Sequence, residues 1–236
     1  MFAIRTQNLS KHYRGSAVVD SVNLCVQKGE SYGLVGANGA GKTTLMKLIV
    51  GLAEASSGSV ELFGSTDGRQ RNKIGCLIEI PGLFIDMTAE QHLDTTLALL
   101  PPNPRFGIRE VLAMVGLEDT RKKPVKKFSL GMKQRLGIAT ALLGSPELLI
   151  LDEPVNGLDP IGIREMSELF VRLRQEYGMT MLISSHLLTE LAKVVSCYGV
   201  VANGKLLAEL RQEELQQLSV TADGVEDHII TLMEGN

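Results

Sequence analysis

Gly36-Ala37-Asn38-Gly39-Ala40-Gly41-Lys42-Thr43-Thr44 is the stretch whose reading decides the fold. It follows a short β-rich run over 31–35 and opens a segment of helical periodicity over 43–50, with Gly51 where a helix C-cap belongs. The order strand, glycine loop, helix gives the pattern GxxxxGK[ST] its chemistry. Glycines let backbone N–H groups converge on phosphate oxygens, and the helix N-terminus adds partial positive charge. Gly36, Asn38, Gly39, Ala40, Gly41 and Thr44 make the cradle, Lys42 contacts the β- and γ-phosphates as a point charge, and Thr43 places a hydroxyl on Mg²⁺. The loop alone predicts a nucleoside triphosphate without naming the base. A guanine motif of the NKxD type is missing, because Asn72-Lys73-Ile74-Gly75 lacks the Asp.

Upstream of the loop the chain reads as strands, over 2–9 and 18–26, and downstream as further strands over 59–63 and 74–80. From 81 to 144 the character turns helical. Thr88 is the expected N-cap of a helix through Leu100, Pro101-Pro102-Asn103-Pro104 breaks it, and helices follow over 105–115 and 129–143. Alternation then returns, with buried strands over 148–152 and 180–184, helices over 161–177 and 187–194, and Asn203-Gly204 as a hairpin turn. The expected layout is one domain: a mixed α/β core over 1–80 and 145–219, a helical insertion over 81–144, and a tail over 220–236 that carries no readable motif.

Composition sets the outer limits. The 236 residues are 44% hydrophobic and 22% charged, enough to bury a full core, and only 4% aromatic, so that core is aliphatic. A net charge of −3 argues against nucleic acid as the main partner. Cys25, Cys76 and Cys197 are scattered and read as reduced thiols. No stretch approaches the roughly 18 apolar residues of a membrane span, so a membrane role is expected to come through a partner. The run Arg121-Lys122-Lys123 with Lys126-Lys127 reads as a solvated face in preference to a lipid contact.

Leu148-Leu149-Ile150-Leu151-Asp152-Glu153 is an apolar strand ending in two carboxylates. A buried strand delivers them to the sheet's carboxyl edge, where the glycine loop also lies. Asp152 is the candidate to hold Mg²⁺, and Glu153 to accept a proton from attacking water. His186 leaves the end of the 180–184 strand and joins them as a candidate.

These elements, in this order, resemble the ATP-binding subunits of ABC transporters from about residue 2 to 218. The resemblance implies an α/β fold with a P-loop NTPase (RecA-like) core, an N-terminal antiparallel β subdomain and an inserted α-helical subdomain. It implies that Tyr13 stacks on adenine, that Asn156-Gly157-Leu158-Asp159 is the D-loop, and that His186 contacts the γ-phosphate. Phe128-Ser129-Leu130-Gly131-Met132 stands where the family carries LSGGQ, retaining Ser129 and Gly131 for a γ-phosphate presented by a second subunit. Glu79 stands where the family usually has Gln, adding a third carboxylate near the metal. Glu79 together with Ser129-Leu130-Gly131-Met132-Lys133-Gln134-Arg135 is similar to the bacterial lantibiotic-immunity and bacitracin-resistance exporters. The implied function is an ATPase that dimerises head-to-tail around two ATP. It would drive separate permease subunits at the cytoplasmic face of the membrane, docking through 79–100, and a peptide substrate would be touched only by the permease. A soluble ABC ATPase acting on DNA or ribosomes and a regulatory ATP-binding module are the alternatives.

Overall fold

The computed structural model describes residues 1–100, 106–120, 122–186 and 193–211. The break at 101–104, Arg121 of the basic run, most of the helix expected over 187–194 and the tail 220–236 lie outside the described residues.

The N-terminal layer is antiparallel. β1 (Phe2–Tyr13) pairs with β2 (Ser16–Val22), β3 (Cys25–Gln27) and β5 (Ser57–Leu62). The strand expected over 18–26 is therefore two strands, and buried Thr6 explains the break. Its hydroxyl donates to Val22 O at 2.9 Å and accepts from Leu24 N at 2.8 Å, replacing ladder bonds where the pairing with β1 is interrupted between β2 and β3.

The second layer is a sheet of six described strands in the order β10-β9-β4-β8-β7-β6. These are β4 (Ser31–Val35), β6 (Ile74–Leu77), β7 (Leu148–Leu151), β8 (Thr180–Ser185), β9 (Cys197–Ala202) and β10 (Lys205–Arg211). All are parallel except the β9–β10 hairpin. Strands covered on both faces read as continuous apolar runs, and β7 obeys that rule. Its Leu148 and Ile150 enter one core with Leu34 and α1 (Lys42–Val50), while Leu149 and Leu151 enter another with the helices on the opposite face. β6 ends at Leu77, not at Ile80 as expected. Leu77–Leu151 is its last pair, and Glu79 then turns the backbone to a φ of 63°.

Helices α2 (Ala89–Leu97), α3 (Ile108–Met114) and α4 (Leu130–Leu143) lie between β6 and β7 in sequence, and α5 (Pro160–Tyr177) follows β7. Thr88 caps α2 in a reciprocal box with Gln91, Ser129 caps α4 through Met132 N, and Asp159 caps α5 through Gly162 N. α2 stops at Leu97, three residues short of expectation, and its C-cap at Ala98 is held by Asp94 O. In α5, Met166, Leu169, Phe170 and Leu173 are buried and Ile163 is partly buried, forming one apolar face at helical spacing.

Candidate active site at the carboxyl edge of the sheet

Register brings the site together. β4 and β8 pair Val35 with Ser185, and β7 and β8 pair Leu151 with Ile183. The next residues out are Gly36, His186 and Asp152, so three strands deliver a glycine loop, a histidine and a carboxylate to one edge.

The loop's glycines are required by crowding as well as by dihedral angle. Gly39 and Gly41 have φ of 84° and 106°, and a Cβ at Gly36 would collide with the carbonyl of Val201. A Cβ at Gly41 would sit 2.5 Å from the carbonyl of Val18. The hairpin turn Asn203-Gly204 supports the loop from below, with Gly204 N donating to Ala40 O at 3.0 Å and Gly204 O accepting from Asp20 N at 2.8 Å. α1 has no side-chain cap, so its first N–H groups open into a shallow cavity lined by Val18, residues 37–44 and Glu153. An uncapped helix end over a cradle that excludes Cβ atoms fits a phosphate chain.

Lys42 is 5% exposed. Its ammonium donates to Gly36 O at 2.6 Å and Ala37 O at 3.3 Å, and stands 3.2 Å from Glu153 Oε1. Asp152 accepts on both oxygens, from Thr43 Oγ1 at 2.7 Å and from Ser184 Oγ at 2.6 Å. Ser184 also accepts from Glu153 N at 2.8 Å, fixing the two carboxylates relative to each other. Glu153 holds a left-handed backbone at φ 47°, a strained setting for a non-glycine residue. Its Oε2 accepts from His186 Nδ1 at 2.8 Å, while the buried Oε1 faces the Lys42 ammonium at 3.2 Å. A buried acceptor beside a phosphate cradle is placed to take a proton. Thr43 and Asp152 present the oxygen ligands that suit Mg²⁺.

Other expected site residues fall elsewhere. Tyr13 is half-exposed at the end of β1, with Lys11 Nζ 5.1 Å from its ring centroid, and it does not line the loop cavity. Ser129 and Gly131 do not line it either, and lie at the exposed start of α4. There Gly131 faces Leu158, and Leu130 packs over Gly157. Glu79 follows the end of β6 by two residues. Its carboxylate pairs with Lys47 of α1 at 2.6 Å, and no three His, Cys, Asp or Glu side chains among the described residues are grouped to hold a metal. Ser184 was not singled out by sequence reasoning, and its only signal is its place two residues before His186 on a strand that ends at the site.

The sequence profile of the ABC transporter family matches residues 19–156. The bacitracin transport ATP-binding protein BcrA of Bacillus licheniformis is 45% identical over 218 residues, 91% of this chain and 71% of that protein. The lantibiotic transport ATP-binding protein SrtF of Streptococcus pyogenes is 43% identical over 216 residues, 91% of this chain and 93% of its own length. Among solved structures, an ATP-binding subunit of an ABC transporter superposes with a TM-score of 0.83 at 28% identity, covering 98% of this chain and 99% of that one.

Proposed function

The chain belongs to the ABC transporter family as an ATP-binding, ATP-hydrolysing transport subunit, and we propose that two copies close head-to-tail around two ATP molecules to drive a peptide-antibiotic exporter. The observation that carries the hydrolytic part is the buried Glu153 carboxylate, held by His186 on one oxygen and ion-paired on the other with Lys42, whose turn to the phosphates frees that oxygen as an acceptor. Glu153 takes the proton of the attacking water. His186 fixes that carboxylate's orientation and faces the γ-phosphate, and Lys42 turns from the loop carbonyls to the phosphate oxygens. Thr43 and Asp152 would hold Mg²⁺, which when bound offsets charge developing on the transferred phosphoryl group. Tyr13 stacks on adenine.

Ser129 and Gly131 support the dimer because they lie outside the loop cavity of their own chain while keeping a phosphate-suited helix start. A second copy brings them to the cradle. No helix among the described residues is long and apolar enough to cross a membrane. The similarity to ATP-binding proteins of bacitracin and lantibiotic transport supports work at the cytoplasmic face through permease partners. The docking surface is the stretch from Glu79 to Leu100, where Ile80, Phe84, Ile85 and Leu99 expose apolar area. The similarity to bacitracin and lantibiotic transport proteins supports peptide export.

Co-purification of the permease, with growth of a deletion strain on a panel of cationic and cyclic peptide antibiotics, tests this reading. Greater sensitivity to at least one peptide is expected, and unchanged sensitivity throughout would remove the antibiotic-export reading. Glu79→Gln tests the unusual acid. The Lys47 pair it breaks is largely exposed, so stability should move by less than about 1 kcal/mol. ATP binding and dimerisation should survive, with protection against peptide altered more than basal hydrolysis. Equal loss of both would contradict it.

A further inference from the structure

Segment 80–88, between Glu79 and α2, carries the exposed apolar side chains but is not loosely held. Its backbone is pinned at three places. Ile85 O accepts from Lys126 N at 2.7 Å and Met87 O from Val125 N at 2.9 Å. The third pin is a side chain: Phe84 N donates to Nδ1 of His92, one turn into α2, at 3.4 Å. The His92 ring lies 5.5 Å from that of Phe84 and is 1% exposed.

The other ring nitrogen reaches a different helix. His92 Nε2 is 3.0 Å from Thr140 Oγ1 of α4, and that hydroxyl donates its own proton to Leu136 O at 2.8 Å. The hydroxyl can then only accept from His92, which puts the imidazole proton on Nε2 and leaves the Nδ1 lone pair for Phe84 N–H. Burial pushes the imidazole below its ordinary pKa, in keeping with the neutral ring this network needs. Both nitrogens are committed, one to the exposed segment and one to the helix that begins at Ser129.

We propose that His92 is a positioning residue that transmits movement of segment 80–88 to α4, and so to Ser129 and Gly131. The inference rests on segment 80–88 being where the permease docks. A partner pressing on Phe84 or Ile85 cannot shift that backbone without turning the His92 ring or breaking one of its two bonds. α4 is a continuous helix over 14 residues, so a displacement felt at Thr140 is carried along its axis to its start. The bonds from Val125 and Lys126 deliver the same displacement three to four residues before Ser129, so that residue is addressed from both sides. The two routes make the start of α4 the element whose position reports the state of the docking segment.

The test uses the ATPase subunit alone and the complete transporter in vesicles, with three single variants. His92→Asn keeps an acceptor near Nδ1 and loses Thr140. His92→Gln can reach Thr140 and loses the acceptor for Phe84. Thr140→Val removes the hydroxyl at constant shape. Permease-dependent stimulation of ATPase should fall about tenfold in each, the scale of a typical coupling between sites. ATPase of the isolated subunit should stay within about twofold, and the permease should still co-purify. His92→Asn combined with Thr140→Val should cost no more than either alone, because both remove one bond. Full stimulation in any single variant overturns the proposal. So does an equal loss in the isolated subunit, which would make His92 only a packing residue. If the wild-type chain neither binds the permease nor is stimulated by it, the docking reading itself fails and His92's role fails with it.

Discussion

Glu153→Gln is expected to lower ATPase activity by about 10²–10⁴-fold while ATP binding persists, the usual worth of a positioned general base. The substitution keeps the side chain's size and the acceptor facing His186 Nδ1, but an amide cannot take a proton at Oε1's position. The Ser184 link to Glu153 N is a backbone bond and is untouched, so the left-handed turn at Glu153 should stay formed. Because ATP still binds and is not consumed, the substituted chain should accumulate as an ATP-dependent dimer. Phosphate release and size-exclusion chromatography with ATP check both parts. Normal hydrolysis would show that another group takes the proton.

Lys42→Met should act on binding itself. Methionine keeps most of the apolar stem in its buried slot, so the loss is chiefly that of the ammonium, which in the free chain is held by Gly36 O, Ala37 O and Glu153 Oε1. Removing one partner of a desolvated, charge-assisted contact costs about 2–5 kcal/mol, so ATP affinity should fall by at least about thirtyfold. Titration with a fluorescent nucleotide measures it. The two substitutions separate cleanly: one leaves affinity and removes turnover, the other removes affinity first. An unchanged affinity in Lys42→Met would mean that loop N–H groups and helix charge alone hold the phosphates.

Much of this was written locally in the chain. The glycine loop, the apolar run ending in Asp152-Glu153, and the caps at Thr88 and Ser129 each depend on neighbours in sequence, and each stands where its residues place it. What the sequence hid depends on distant partners. Ser184 joins the two carboxylates only because β7 and β8 pair in one register, and a serine at a strand end has no signature of its own. The ion pair of Glu79 was hidden because the lysine that engages it lies 32 residues earlier on another element. The strand over 18–26 broke because Thr6, far upstream, supplies the bonds at the break. His92 carried no pattern at all; its meaning lies in which two elements its nitrogens reach.

The turn at Asn203-Gly204 bears on how this protein can be handled in the laboratory. A tight hairpin tip of small polar residues is where a tag, a fluorophore or a split-protein junction is ordinarily placed, since such tips tolerate insertion. Here that tip is the prop under the phosphate cradle, with Gly204 bonded to Ala40 and Asp20 and crowded against Val18. An insertion there would abolish nucleotide binding without altering any residue that meets the nucleotide. A tagged chain failing for that reason would be mistaken for a subunit that lacks its partner.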